Sequence, residues 1–259
     1  MFLARIVARL RQESHECYCL LRLGGMHAAM TWREYWDRER TTYVNERHRQ
    51  LESELIGRAV ETFIPDGTAS ILDYGCGDNR VADEVALYCR KLILCDSAPS
   101  LLKRLKQRYA KNSKISVVSP SELHALPSGS IDLTVANSLI QYLGSNELHE
   151  LLGLWRRTLK SGGLLVIGDV IPTNASDVRD AMTLLRFGWE GGFLFAAIVG
   201  LLRILLSDYR KLRRDHGIFK YDEADLIAIF AKAGFVLKRH TPNIGHNQSR
   251  MTFTGRLAT

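Results

Sequence analysis

Ile71-Leu72-Asp73-Tyr74-Gly75-Cys76-Gly77-Asp78-Asn79 is the stretch that decides the fold. Two apolar residues, an acid and two glycines one residue apart read as a buried strand ending in a tight loop over a ligand. Gly75 and Gly77 carry no Cβ, so the backbone can turn sharply there and approach a bound molecule closely. The run from Val81 to Leu87 reads as a helix whose N-terminus faces this loop. About twenty residues after the glycines, Leu92-Ile93-Leu94-Cys95-Asp96 gives a second apolar strand that ends in an acid. An acid in that place accepts hydrogen bonds from the hydroxyls of a ribose. The whole reads as a nucleoside-binding unit.

Which nucleoside follows from the third glycine position. Dinucleotide loops need G-x-G-x-x-G, whose last glycine lets helix and strand pack closely around a pyrophosphate. Here Arg80 stands in that place, after Asn79, and its bulk crowds the approach. The segment instead resembles the first motif of class I S-adenosylmethionine-dependent methyltransferases of the small-molecule type: an aliphatic pair, Asp, any residue, Gly, Cys, Gly. The resemblance implies that Asp73, Gly75, Cys76 and Gly77 hold the methionine part of S-adenosyl-L-methionine, which carries no phosphate. Asn79 stands where the family most often has Gly, and Asn tolerates a left-handed backbone.

The resemblance continues in order along the chain. Asp96, followed by Ser97, matches the acid that binds the ribose. Ser119-Pro120-Ser121-Glu122 lies where the family reads adenine. The family often has Asp where this chain has Pro120, which passes the adenine contact to Ser121, Glu122 or a backbone group. Ser130 to Val135, then Asn137-Ser138-Leu139-Ile140-Gln141, match the fourth strand and the turn after it, which places Asn137 and Gln141 against the cofactor. Leu159-Lys160-Ser161-Gly162-Gly163 is similar to the Leu-Lys-Pro-Gly-Gly turn that leads into the fifth strand. Base-amino methylating members carry Asn-Pro-Pro-Tyr after the fourth strand, and Asn137-Ser138-Leu139-Ile140 departs from it.

Strands near 70–74, 91–95, 114–118, 131–136 and 163–169 alternate with helices at 80–88, 98–109 and 146–159. Such alternation gives an α/β domain with helices on both faces of a mostly parallel sheet. The resemblance makes it a Rossmann-like, seven-stranded sheet with an antiparallel C-terminal hairpin, here near 235–240 and 250–256. After Pro172 the alternation stops, and residues 173–218 read as a lid insertion of two helices jointed at Gly188, Gly191 and Gly192. Residues 30–259 are expected to form the methyltransferase domain. Residues 1–29 read as a dispensable basic extension, with Met30 as a natural start.

With 46% hydrophobic residues in a chain of 259, one sizeable core is expected. The net charge of +7 is local: Arg5, Arg9, Arg11 and Arg22 near the start, and Arg210, Lys211, Arg213 and Arg214 later. Solvated helix faces account for these clusters, and with no aromatic-interleaved basic stripe no nucleic-acid partner is expected. Cys17, Cys19, Cys76, Cys89 and Cys95 form no C-x-x-C pair, so no metal is expected, and their scatter suits free thiols in a cytoplasm. No run reaches the length of a membrane span.

Methyl transfer needs proximity and orientation first, and a base only when the acceptor must lose a proton. Asp169, His246 and His216 are candidates for that base. Tyr43 and Arg47 are placed to close over the cofactor. The acceptor is expected to be small or lipid-like: Phe187, Trp189, Phe193, Phe195 and Ile198 of the apolar insertion either pack the lid onto the sheet or form an apolar tunnel, with room for peripheral membrane contact. The rival readings are a nicotinamide-dependent oxidoreductase, and a non-catalytic module that keeps the fold and its cofactor.

Overall fold

The computed structural model describes residues 32–37, 43–205 and 217–258. The N-terminal extension, Cys17, Cys19, the segment from Arg210 to Arg214, and His216 lie outside the described residues. Seven strands are described: β1 (Ser70–Tyr74), β2 (Lys91–Cys95), β3 (Ile115–Val118), β4 (Ile131–Asn137), β5 (Leu159–Val170), β6 (Phe235–His240) and β7 (Met251–Leu257). They form one sheet in the order β3-β2-β1-β4-β5-β7-β6. The first five pair in parallel, and β7 runs antiparallel to both β5 and β6.

Alternation along the strands builds two cores. Leu72, Ile93, Cys95, Ile131, Leu165 and Ile167 point to one face of the sheet. Their neighbours Ile71, Leu92, Leu94, Leu133 and Val166 point to the other. A strand buried on both faces is mostly apolar, as Ile71-Leu72 of β1 and Leu92 to Cys95 of β2 show; β4 buries Thr134 among Leu133, Val135 and Ala136. The helices are α1 (Trp32–Asp37), α2 (Glu46–Glu61), α3 (Ala82–Val85), α4 (Pro99–Arg108), α5 (Ser145–Thr158), α6 (Asp177–Glu190), α7 (Leu194–Leu205) and α8 (Glu223–Lys232). Leu148, Leu151 and Trp155 of α5, with Leu226 and Phe230 of α8, close the first core. Val60, Val85, Leu101 and Leu105 of α2, α3 and α4 close the second.

Two expectations change. The helix expected at 80–88 is a single turn, Ala82–Val85, followed by a tighter turn over Ala86–Tyr88. Its start is delayed because the Asn79 side chain accepts the Val81 N–H at 3.1 Å and keeps the chain in the loop. The Gly162-Gly163 turn is a bulge inside β5: strand partners jump from Ile131↔Leu159 to Leu133↔Leu164. Gly162 takes φ +78° to absorb the extra residues.

Among the described residues between 173 and 218 lie α6 and α7, with Gly191 and Gly192 between them and Gly188 inside α6. A Cβ at Gly188 would stand 3.0 Å from that of Ala197, so this glycine lets the two helices approach closely. Among the described residues no helix is long and apolar enough to cross a membrane.

Candidate functional site

β1 lies between β2 on one side and β4 on the other, so connections leave it in opposite directions. A crevice opens beyond the carboxyl ends of strands at such a point. Here it is a cleft of about 1360 Å³. Its lining includes Asp73, Gly75, Cys76, Gly77, Asp96, Ser97, Ser121, Asn137, Gln141, Asp169 and His246. Among the candidates expected to line it, Glu122 and Arg47 are missing from this set.

The glycine loop is held from β2. Gly75 (φ +73°) and Cys76 donate their N–H groups to the Cys95 carbonyl at 2.8 and 3.0 Å. A Cβ at Gly75 would also press on Leu139 Cδ1 at 2.9 Å. Gly77 (φ +54°) donates to Asp96 Oδ2 at 3.1 Å, and Ala98 N–H donates to Asp96 Oδ1 at 3.0 Å. Each Asp96 oxygen keeps lone-pair capacity beyond these bonds. Burial raises the pKa of Asp96 against the backbone donors that stabilise its anion. Asp73 accepts from Asn79 Nδ2 at 2.9 Å, and burial pushes it up to about 6.

The left-handed backbone considered for Asn79 is absent: the non-glycine residues with positive φ among those described are Ser138 and Asp169. Asn79 instead ties the loop together through its side chain. Its carbonyl accepts from the Tyr109 hydroxyl at 2.6 Å. Arg80 is bound to Asp78 at 3.0 Å and to Glu46 at 2.6 Å.

Glu122 requires a correction. Its carboxylate accepts from Ser119 N–H at 2.6 Å and from Ser119 Oγ at 2.8 Å, so it caps its own turn. Those bonds hold its carboxyl below the usual range. Ser119, Pro120 and Ser121 face the cleft in its place. Arg47 is exposed and donates to the Gly191 carbonyl at 3.4 Å, while Tyr43 and Arg49 line the cleft.

At the ends of β4 and β5 the backbone is strained. Ser138 (φ +52°) and Asp169 (φ +56°) sit side by side, joined by Ser138 Oγ donating to Asp169 Oδ2 at 2.7 Å. Non-glycine residues in this region cost of order 1–3 kcal/mol each and cluster at functional sites. Gly168 precedes Asp169, and a Cβ there would run into Ile244 and the Asn137 amide. Asn137 Oδ1 and Gln141 Oε1 are buried without a hydrogen-bond partner among the described residues. Buried acceptors without donors mark where a ligand N–H or ammonium belongs.

A further group packs beside Asp169. His246 Nδ1 lies 2.5 Å from Glu52 Oε2 of α2. Its ring stacks on Phe187 of α6 at 4.6 Å between centroids. His48 lies one helical turn before Glu52, buried and stacked on Phe193 at 5.1 Å. Burial would lower the His246 pKa, but the Glu52 bond and charge, with Asp169, raise it above its ordinary value. Burial lowers His48 to about 4, so it stays neutral near pH 7.

One atom from each of His48, Glu52 and His246 falls within 4.8 Å of the others, close enough to consider a cation. The tautomer speaks against it. His48 Nδ1 accepts the Val44 N–H at 3.3 Å, so the neutral ring carries its proton on Nε2. Metal-bound imidazoles show the reverse, with the outer nitrogen donating.

The sequence reading missed Glu52, His48 and Arg49. His48 and Glu52 are four apart and share one helix face. That spacing was the available signal; their meeting with His246 is tertiary. The apolar side chains of α6 and α7 divide. Phe187 and Phe193 pack behind the histidines, while Trp189, Phe195, Ile198 and Leu202 face outward, and none of them lines the cleft.

The match to known proteins covers the same elements. Residues 72–167 match the family model described as "Methyltransferase domain". The chain is 25% identical to the carboxy-S-adenosyl-L-methionine synthase of Erwinia tasmaniensis over 136 residues, 49% of this chain and 54% of that protein. It is 22% identical to nodulation protein S of Sinorhizobium fredii over 154 residues, 58% of this chain and 66% of that one. It thus spans about half to two thirds of the length of these curated relatives. Its fold is similar to that of Haemonchus contortus phosphoethanolamine N-methyltransferase 1, solved with phosphoethanolamine and S-adenosylhomocysteine. There the TM-score is 0.57 at 14% identity, covering 88% of this chain and 47% of that one. Residues 72–167 thus match a methyltransferase domain, and the sheet they build has the fold of S-adenosylmethionine-dependent methyltransferases.

Proposed function

We propose that this chain transfers the methyl group of S-adenosylmethionine to a small-molecule acceptor. The observation that carries the reading is the bonding of the glycine loop to β2. Gly75, Cys76 and Gly77 donate to Cys95 and Asp96, which leaves a short loop and a half-buried carboxylate side by side at the switch point.

The residues present fit the cofactor. Asp96 has capacity for ribose hydroxyls, Ser119 to Ser121 form a wall for the adenine, and the turn at Gly75 to Gly77 leaves room for the methionine end. The orphaned Asn137 Oδ1 and Gln141 Oε1 suit an ammonium or amide donor. When bound, the cofactor supplies an electrophilic methyl group on a sulfonium that leaves readily. The chain's own part is to orient and to exclude water. Trp32 and Trp36 of α1, in ring contact with Tyr142 at 4.7 and 5.8 Å, wall one side of the cleft. Asp169, Gln141 and His246 also line it.

The lid side chains that favoured a lipid-like acceptor pack or face outward, which supports a small acceptor instead. Nodulation protein S is similar to this chain over a comparable stretch. The outward apolar stripe of α6 and α7 supports a second reading, contact with a membrane surface. The free thiols of Cys76, Cys89 and Cys95 support a cytoplasmic placement.

Calorimetry with S-adenosylhomocysteine and with a nicotinamide dinucleotide tests the proposal. Binding of the first alone is expected. Binding of the dinucleotide alone would turn the reading to an oxidoreductase. Cofactor binding with no turnover across a broad acceptor panel would favour a non-catalytic module.

A further inference from the structure

We propose that His246, oriented by Glu52, takes the proton from the methyl acceptor, which is therefore a hydroxyl or amine compound. This rests on the methyl-transfer reading above and names its substrate class.

Glu52 accepts from Nδ1 at 2.5 Å, which fixes the proton of the neutral ring on that nitrogen and leaves the Nε2 lone pair outward. No described residue hydrogen-bonds Nε2, although the ring lines the cleft that holds Asn137, Gln141 and Asp169. Phe187 stacked on the ring face keeps it from turning. Gly245 brings the loop down onto both carboxylates: a Cβ there would lie 3.3 Å from Glu52 Oε1 and 3.5 Å from Asp169 Oδ1. A His held at one nitrogen by a half-buried carboxylate, on a ring that lines a cleft, is the arrangement of a general base.

The groups facing His246 are Glu52 and His48 from α2, Asp169 from β5, Arg250 from its own loop, and Tyr43 before α2. Arg250 is in turn held by Asp180 of α6 at 2.5 Å. The acids outweigh burial and Arg250, so the ring titrates above its ordinary value.

The step balances. The acceptor's O–H or N–H bond breaks, its proton moves to Nε2, and its electron pair stays on oxygen or nitrogen. That pair bonds to the methyl carbon while the carbon–sulfur pair returns to sulfur. The positive charge lost at the sulfonium reappears on the imidazolium beside Glu52.

Two measurements test this. Histidine-ring NMR titration of the parent and of Glu52→Gln reads the dyad directly. His246 is expected to titrate above 6.5 in the parent and lower in the variant; an unchanged value overturns the proposal. Labelled methyl transfer is then screened over phenols, alcohols, amines, thiols and carbon nucleophiles. Turnover of hydroxyls or amines is expected. His246→Ala should lower kcat at least about 100-fold while S-adenosylhomocysteine affinity stays within about two-fold, the range expected of a group that does not touch the cofactor. In Glu52→Gln the acid limb of the rate profile should move with the NMR value.

Turnover confined to thiols or carbon, no turnover of any hydroxyl or amine, or full activity in His246→Ala overturns it. So does sub-micromolar Zn²⁺ binding that is lost in His48→Ala, which would make the trio a metal site. If the parent binds no S-adenosylhomocysteine, the cofactor reading itself fails; if it binds and these results fail, the base assignment alone is wrong.

Discussion

His48 should make this protein acid-sensitive by a calculable amount. The residue is 6% exposed, enclosed by Tyr43 at 5.2 Å, Phe193 at 5.1 Å and His246 at 5.8 Å between ring centroids. Burial lowers it from 6.5 to about 4; Glu52 opposes this and His246 adds to it. Its folded pKa lies below the unfolded one, so its contribution is complete above the unfolded value. That contribution drains away as the pH falls from there toward about 4, because the unfolded chain takes up a proton that the folded state refuses. At about pH 5 the unfolded imidazole is almost fully protonated and the folded one almost neutral, a difference of ~2 kcal/mol. His48→Phe keeps a ring in the stack and removes the titration. Urea unfolding of both proteins at about pH 7.5 and about pH 5 gives the comparison. The parent should lose ~2 kcal/mol more than the variant over this interval. His246 works in the opposite sense, since a raised pKa stabilises toward acid, but it is present in both proteins. Parallel pH dependence in parent and variant would refute the reasoning.

Three further outcomes are expected. Asp96→Ala removes the acceptor for Gly77 and Ala98 N–H as well as the proposed ribose contact. It should weaken S-adenosylhomocysteine binding by ~1–3 kcal/mol in calorimetry, and parent-like affinity would disprove the ribose assignment. Gly168→Ala drives a Cβ into Ile244 and the Asn137 amide. It should lower stability by ~1–3 kcal/mol in a thermal melt, whereas an unchanged Tm would mean that the Ile244 loop can move aside. With Trp189 75%, Phe195 80% and Leu202 57% exposed, the protein is expected to float with anionic vesicles. A Trp189→Ser/Phe195→Ser variant should not, and a parent that stays at the bottom removes membrane contact.

The order of the elements was legible in the chain because burial on both sheet faces forces mostly apolar strands, as in Leu92 to Cys95 of β2. The glycine loop was legible because Gly75 and Gly77 must take backbone angles that other residues avoid. Asp96 followed from its distance to that loop. Local bonding was harder to read: Glu122 has the right place in the chain, yet it turns onto Ser119 three residues before it. The left-handed backbone fell not on Asn79 but on Ser138 and Asp169, where two strand ends crowd each other. The outward face of α6 and α7 was likewise hidden, since apolar residues at helical spacing look the same whether they meet a cleft, a core or solvent.

What the sequence determined by itself is therefore the order of strands and helices and the glycine loop, each encoded by residues near one another in the chain. What only tertiary structure decided is the acceptor end. Glu52 and His246 are 194 residues apart and meet at 2.5 Å. Asp180 and Arg250 are 70 apart and also meet at 2.5 Å. No local rule of spacing or propensity links such pairs. Their partnership exists only because the sheet brings α2, the end of β5 and the loop before β7 to one edge of the cleft, where partly buried charges are held by opposite ones.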